Sequence, residues 1–211
     1  MCIRDRYLTR HVKDPINWYS YGPEALQKAK DENKPIFLSI GYSSCHWCHV
    51  MGQESFQDIL SAQFLNESFV NIKVDKEELP DVDQYYQLAC QVMNGRGGWP
   101  LNAFLTTEMK PFFIGTYFPK VAEKDTPSFF ELIGHVEHEF NNNIEKVLET
   151  ANHITEALKA SPKVEHRLEF EGHYPSAASI LNAIKDYQDN DFGGYAIEPK
   201  FPHYTFLEWA V

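Results

Sequence analysis

Two cysteines separated by two residues, Cys45 and Cys48, are the side chains whose types and spacing best support a reaction. They follow an apolar run, Pro35–Ile40, and a turn-forming stretch, Gly41–Ser44, in which a serine could cap a helix. Cys45 is then expected in the first helical turn, where backbone N–H groups and the helix dipole stabilise a thiolate. The spacing predicts that Cys45 is a nucleophile and that Cys48, one turn away, resolves a mixed disulfide.

The same motif leaves two alternatives open. Cys45, Cys48 and His49 could bind zinc, although the sequence has no fourth ligand at a suitable spacing. The order C-x-x-C-H is also the haem attachment signature, but haem attachment needs no preceding strand. The dithiol interpretation is favoured, and it requires no metal and no organic cofactor.

Charge and cysteine content restrict the class of protein. The chain has 211 residues and a net charge of −11, from 19 basic and 30 acidic side chains. Because nucleic acids and anionic membranes bind clusters of Lys and Arg, neither is an expected partner. Met1–Arg6 has no apolar segment typical of a signal peptide, and no apolar run approaches the roughly 20 residues of a membrane span. Two of the four cysteines form the C-x-x-C motif, which suits a reducing compartment and predicts a cytoplasmic location.

The elements that position the motif follow from hydrophobic periodicity. Pro35–Ile40 is nearly all apolar, which is typical of a strand buried on both faces, whereas Val70–Asp75 alternates and predicts a half-buried strand. Leu101–Leu105 and Phe112–Phe118 are predicted to form a hairpin. With the intervening helices, the predicted order is α, β, α, α, β, α, β, β. Apolar residues then recur every 3.6 positions from Phe129 to Leu158, which indicates one bent helix or two in series.

Strand, turn, C-x-x-C and helix resemble the active site of the thioredoxin superfamily. The wider sequence resembles a narrower family, the thioredoxin-domain proteins related to spermatogenesis-associated protein 20 and bacterial YyaL. The matching segments are Asp14–Tyr19, Lys34–Tyr42, Cys45–Met51, Ile72–Glu78 and Gly97–Asn102. The resemblance implies an α/β, thioredoxin-like fold with a central mixed sheet flanked by helices. It also implies thiol–disulfide exchange with protein or peptide thiols and disulfides.

Four further residues receive roles near the cysteines. His46 and Trp47 lie between them and are expected to tune thiolate stability and redox potential, unless both are simply exposed at the helix tip. The resemblance places Pro100 as the cis-proline that lies against the motif and presents backbone groups to a bound peptide. A trans turn proline is the alternative. Trp99 is expected either to line the peptide groove or to belong to the core.

Ser39 departs from the thioredoxin pattern, which has a buried acid six residues before the first cysteine. A serine hydroxyl cannot accept a proton from Cys48 near neutral pH, so resolution by Cys48 is expected to be slow. This departure supports a rival hypothesis, in which the fold is a non-catalytic protein-binding or regulatory module. In that case it would serve a carbohydrate-active α/α-barrel enzyme.

Domain boundaries are predicted from composition and from the resemblance. Residues 7–160 are expected to form the thioredoxin-like domain and residues 161–174 a polar linker. Residues 175–211 are expected to open an all-α, six-hairpin glycosidase-like α/α barrel, so the chain is predicted to be a fragment. That barrel is a possible intramolecular partner.

Three other features are given structural roles. Cys90 lies on an apolar helical stripe, which favours a buried small side chain over a third redox thiol. His135 and His138 have a spacing that could bind a metal, but a solvated helix face is favoured. The acidic residues from Asp75 to Asp83 are expected to lie in a solvated loop and at a helix N-terminus.

Overall fold

One mixed sheet organises the part of the chain that the computed structural model describes, residues 6–124 and 126–160 with Ser176 and Asn182. Its strands are β1 (Trp18–Ser20), β2 (Ile36–Gly41), β3 (Val70–Asp75), β4 (Leu101–Leu105) and β5 (Pro111–Gly115). Their spatial order is β1-β3-β2-β4-β5. β3 is parallel to β1 and β2, whereas β4 is antiparallel to both β2 and β5.

Helices cover both faces of this sheet. In the described residues they are α1 (Arg6–His11), α2 (Pro23–Glu32), α3 (His46–Glu54), α4 (Ile59–Ser68), α5 (Pro80–Asn94), α6 (Phe129–Asn142) and α7 (Ile144–Ala160). The first core lies on one face and joins the sheet to α2, α5 and the end of α7. The second core lies on the other face and joins it to α3, α4, α6 and the start of α7. The helical periodicity from Phe129 to Leu158 is therefore divided between two helices, with the break at Asn143.

Side chains of β2 alternate between these two cores. Leu38 and Ile40 belong to the first core and Phe37 to the second. By the same alternation, Ser39 and Gly41 face the second core, the side on which α3 packs. All six residues of β2 are buried, as the apolar run predicts. All six residues of β3 are buried as well, so the prediction of a half-buried strand is wrong there.

The thioredoxin-like α/β fold predicted from the sequence is confirmed by the strand order and by the helices on both faces. The structure adds α1 and β1 at the start of the chain, which the sequence pattern did not predict. The chain divides into two compact units, Met1–Lys163 and Val164–Val211, and the fold above belongs to the first. The predicted linker at 161–174 and barrel segment at 175–211 lie outside the described residues. Among the described helices, none combines the length and the apolar composition needed to cross a bilayer.

Candidate dithiol–disulfide site

The chain leaves the carboxyl end of β2 at Gly41 and enters α3 at the C-x-x-C motif. Cys45 is the N-cap residue of α3, with extended backbone angles of φ −77° and ψ 112°. Its Sγ accepts a hydrogen bond from the backbone N–H of Cys48, at 3.2 Å. The prediction of Ser43 or Ser44 as the cap is therefore wrong, because the cysteine sulfur occupies the acceptor position that a serine hydroxyl would otherwise fill.

Cys45 and Cys48 are joined as a disulfide, with their Cα atoms 5.3 Å apart. Both residues are nearly enclosed, with exposed fractions of 4% for Cys45 and 2% for Cys48. They form a small buried cluster with Tyr7, against which Tyr42 and Trp99 pack. The structure thus brings the two predicted redox residues together at a helix N-terminus.

His46 and Trp47 are exposed beside the disulfide, and 52% of the Trp47 surface is accessible. The Trp47 ring contacts the Tyr117 ring, with centroids 5.0 Å apart. Tyr117 donates its hydroxyl hydrogen to Glu54 at 2.8 Å, and burial followed by this bond raises the pKa of Tyr117 to about 12. The exposed aromatic surface next to the cysteines is therefore held in place by α3 and the segment after β5.

Trp99 packs against the buried cluster that contains the disulfide, and Pro100 follows it in the chain. The Trp99–Pro100 peptide bond is cis, the conformer that the sequence predicts, and Pro100 is buried. Trp99 is half-buried and donates its indole N–H to Asp83 Oδ1 on α5, at 2.9 Å. The ammonium of Lys76 lies 4.0 Å from the centroid of the Trp99 ring and contributes a cation–π interaction.

Two of the acidic residues from Asp75 to Asp83 are not solvated as expected, whereas Glu77 and Asp81 are exposed, which confirms the expectation for them. Asp75 and Asp83 are 2% and 9% exposed. The Asp75 carboxylate accepts the backbone N–H of Glu77, and burial raises the pKa of Asp75. Asp83 accepts the hydrogen bond that orients the Trp99 indole beside the cysteines.

A row of buried polar side chains, Lys73, Ser39 and Asn102, crosses three neighbouring strands of the sheet. Ser39 is fully buried and pairs with Lys73 on β3 and with Asn102 on β4. The Lys73 ammonium donates a hydrogen bond to Ser39 Oγ at 3.0 Å. The serine that replaces the thioredoxin acid therefore has a lysine as its partner. Sequence reasoning missed Lys73, because only the parallel register of β2 and β3 places it beside Ser39.

Lys73 has an unusual environment for an ammonium group. The centroids of three aromatic rings lie 4.2 to 5.3 Å from its Nζ, and these belong to Phe56, Trp18 and Tyr7. Burial lowers the pKa of Lys73 to about 7, and the Asp14 carboxylate opposes that shift. A proton can therefore leave or enter this amine near neutral pH.

The loop before the motif is fixed by two side chains. His49 Nε2 lies 2.8 Å from the carbonyl oxygen of Ser43, and Arg10 Nη1 donates to the same oxygen at 3.1 Å. These contacts connect α1 and α3 to the loop that carries Cys45. His49 thus has a structural role in holding this loop.

The remaining candidates are separate from the disulfide. Cys90 is 1% exposed within the first core, and burial raises the pKa of its thiol. His135 and His138 are both exposed on α6. Within residues 6–124 and 126–160, no group of three or more His, Cys, Asp or Glu side chains is placed to hold a metal ion.

The mixed sheet and the disulfide at the start of α3 define a thioredoxin-like domain with a dithiol–disulfide pair. A family model named Thioredox_DsbH, described as a protein of unknown function (DUF255), matches residues 3–159, and the chain belongs to this family. The chain is 41% identical over 210 residues to human spermatogenesis-associated protein 20, covering 96% of this chain and 26% of that protein. An uncharacterized protein of Caenorhabditis elegans is 38% identical over 209 residues, with coverages of 97% and 28%. The chain thus spans about a quarter of the length of the curated relatives it matches.

Two solved structures are similar over the thioredoxin-like part. A DsbH oxidoreductase is 21% identical with a TM-score of 0.44, covering 60% of this chain and 85% of that chain. A thioredoxin from Thermus thermophilus is 19% identical with a TM-score of 0.45, covering 59% and 89%. The fold assignment rests on the strand order and helix placement described above.

Proposed function

We propose that the thioredoxin-like unit of this chain is a thiol–disulfide oxidoreductase that exchanges disulfides with protein or peptide partners. The observation that carries the proposal is the Cys45–Cys48 disulfide at the N-terminus of α3, with Cys45 Sγ bonded to the Cys48 N–H. In the reduced protein, the same N–H and the helix dipole favour a thiolate at Cys45 over one at an ordinary cysteine. We further propose a reducing, cytoplasmic compartment for this exchange, on the basis of the low cysteine content.

The exchange proceeds through a mixed disulfide. The Cys45 thiolate attacks one sulfur of a substrate disulfide, a Cys45–substrate bond forms, and the other substrate sulfur leaves as a thiolate. Cys48 then loses its proton to solvent water and attacks Cys45 Sγ, which forms the Cys45–Cys48 disulfide and releases the second substrate thiolate. Two electrons pass from the dithiol to the substrate, and an external dithiol restores the reduced pair. The reverse sequence oxidises a substrate dithiol.

Surrounding side chains give the substrate a surface to bind. His46 and Trp47 are exposed between the two cysteines in sequence, and Trp99, which precedes Pro100, packs against the nearly buried sulfurs. We assign His46 and Trp47 to redox tuning and Trp99 and Pro100 to the peptide groove. Asp83 supports the groove by fixing the Trp99 indole.

Peptide disulfide reduction and partner trapping test the proposal directly. The wild-type chain, driven by dithiothreitol, should reduce insulin disulfides faster than dithiothreitol alone. Cys48→Ser should accumulate a mixed disulfide at Cys45, because the resolving thiol is absent. Cys90→Ser is the matched control, since Cys90 is a buried thiol outside the site and its loss should leave both results unchanged. A wild-type rate equal to that of dithiothreitol alone would reject catalysis.

A second candidate is a binding or regulatory module with little turnover, supported by Ser39 in place of the acid and by the enclosure of both sulfurs. In this alternative the module serves a carbohydrate-active α/α barrel in a longer protein, of which the present chain is a fragment. The chain spans only 26% of human spermatogenesis-associated protein 20, which leaves room for such a domain in that relative. Partner capture by the oxidised protein, together with absent insulin reduction, would favour this candidate.

A further inference from the structure

Tyr7 is a buried phenol that the exchange scheme above does not use. It lies in α1, outside the sheet, and is only 1% exposed. Its hydroxyl has no hydrogen-bond partner in the described structure. A buried hydroxyl without a partner is unfavourable, because it has lost its bonds to water and gained none in return. In the oxidised protein, the Tyr7 hydroxyl is therefore a buried donor without an acceptor.

The hydroxyl of Tyr7 and the sulfur of the resolving cysteine both lie close to Gly41. A Cβ atom built on Gly41 would overlap the Tyr7 hydroxyl and would lie 2.9 Å from Cys48 Sγ. The oxygen and the sulfur therefore border the same small space, which stays open because residue 41 is glycine. Tyr7 also belongs to the buried cluster formed by Cys45 and Cys48.

Neighbouring contacts hold α1 and set the charge of the phenol. The Tyr7 ring packs edge-on against His11, with centroids 5.0 Å apart, and His11 Nδ1 lies 2.7 Å from the Asp14 carboxylate. Burial first, and then the Asp75 and Asp14 carboxylates, raise the pKa of Tyr7 well above its ordinary value. The phenol is therefore a neutral hydrogen-bond donor at physiological pH, and a thiolate is a much better acceptor than a disulfide sulfur.

We propose that Tyr7 donates a hydrogen bond to the Cys48 sulfur when the disulfide opens and thereby stabilises the thiolate that resolves the mixed disulfide. This inference rests on the proposed exchange function. A rotation about the Cα–Cβ bond of Cys48 brings its freed sulfur toward the hydroxyl. During resolution the thiolate attacks Cys45 Sγ, the Cys45–substrate bond breaks, and the substrate sulfur leaves as a thiolate that takes a proton from water. Tyr7 keeps its own proton throughout.

The hydrogen bond has a consequence for the equilibrium between dithiol and disulfide. Reduction gives the Tyr7 hydroxyl a partner, whereas oxidation removes that partner and leaves the hydroxyl unsatisfied. Tyr7 should thus favour the reduced form and raise the reduction potential. Among the charged groups nearby, Lys73 favours a thiolate and Asp14 and Asp75 oppose one, so the neutral hydroxyl supplies stabilisation without adding charge.

Tyr7→Phe tests this inference, because it retains the ring and removes only the hydroxyl. The full chain is equilibrated with reduced and oxidised glutathione at pH 7, and the Cys45–Cys48 disulfide fraction is measured after acid quenching and alkylation. The variant should favour the disulfide about tenfold more than wild type, which corresponds to a potential about 30 mV lower. Single-turnover reduction of a peptide disulfide should also slow at the resolution step.

Tyr86→Phe is the matched control, because the Tyr86 hydroxyl is also buried but donates to the Met109 carbonyl, away from the cysteines. It should lower the melting temperature and leave the glutathione equilibrium unchanged.

A folded Tyr7→Phe protein whose equilibrium matches wild type would overturn the inference. If that variant is unfolded, 3-fluorotyrosine at position 7 gives a stronger donor and should raise the potential, and an unchanged or lower potential would equally overturn it. These equilibria are measurable without substrate turnover, so failed insulin reduction would reject the proposed function separately.

Discussion

At the scale of single residues, Gly41 is a position with no room for a side chain. Any Cβ there meets the Tyr7 hydroxyl and Cys48 Sγ at once. Gly41→Ala should therefore reduce the free energy of unfolding by about 1–3 kcal/mol, because the neighbours must move to accommodate the methyl group. Urea denaturation of the oxidised protein measures this change.

Gly134→Ala is a control for which the free energy of unfolding should change in the opposite direction. Gly134 lies inside α6, and a Cβ there meets nothing within 4 Å. Gly134→Ala should increase the free energy of unfolding by about 0.5–1 kcal/mol, because alanine has less backbone freedom to lose on folding. Equal effects of the two substitutions would show that crowding at Gly41 is not the cause.

Lys73 should make the free energy of unfolding increase as the pH rises above neutral. Burial lowers the pKa of Lys73 from its ordinary value of 10.5 to about 7 in the folded protein. Between those pH values the unfolded chain holds this proton and the folded chain does not, so stability should increase as the pH rises, by about 1 kcal/mol per pH unit. Lys73→Met removes the titrating group and should remove this part of the slope in urea denaturation at pH 7 and pH 9.

Lys30→Met serves as the comparison, since Lys30 is exposed on α2. Its removal should leave the slope of the wild-type protein intact. A Lys73→Met protein with the wild-type slope would show that the buried amine stays charged, held by the aromatic rings and by Asp14.

At the scale of elements, the pairing of β2 with β3 determines what an acid at position 39 would encounter. The Lys73 ammonium already lies 3.0 Å from Ser39 Oγ. Ser39→Asp would gain this cation as a partner, which reduces the cost of burying a carboxylate. The new acid can accept the Cys48 proton, so single-turnover reduction of a peptide disulfide should accelerate by about tenfold or more at neutral pH.

Ser39→Ala distinguishes the effect of adding a carboxylate from the effect of removing the hydroxyl. It removes the same hydrogen bond and introduces no proton acceptor, so it should leave the rate near that of wild type. If Ser39→Asp folds and resolves no faster, proton transfer at position 39 does not limit the reaction, and another acceptor such as Lys73 or water takes the proton.

Sequence periodicity predicted the elements that carry strong local patterns. β2, β4, the helical periodicity of α6 and α7, and the C-x-x-C motif at a helix start all follow from residues close together in the chain. β1 was not predicted, because three residues are too few to show alternation. The burial of Lys73 was also missed, since a lone lysine in an alternating segment suggests solvent exposure.

The parts of the site that were missed depend on contacts between distant segments. Tyr7 and Cys48 are neighbours although they are 41 residues apart in the sequence, and Asp83 and Trp99 are 16 residues apart. No local pattern encodes either contact. The N-cap role of Cys45 was missed for a different reason, because helix boundaries are uncertain by a residue or two in any sequence pattern.

At the scale of the whole molecule, the described fold ends with α7 at Ala160. Within the described part of the chain, the residues of both cores all precede this point. A chain ending at Ala160 should therefore keep its melting temperature within about 2 °C of the full chain, and its glutathione equilibrium should be unchanged. Differential scanning calorimetry measures the first quantity, and a large fall would show that the later residues stabilise the thioredoxin-like unit.

The position of α7 has a consequence for how the protein is made. Val147 and Ala151 near its start belong to the second core, while Ile154 and Leu158 near its end belong to the first. The sheet is synthesised before this helix, so a nascent chain carries both apolar faces incompletely covered until Leu158 has left the ribosome. Exposed faces of this kind bind other unfolded chains. Final closure of both cores, and the protection of the nascent sheet from aggregation, therefore depend on the last helix of the unit to be translated.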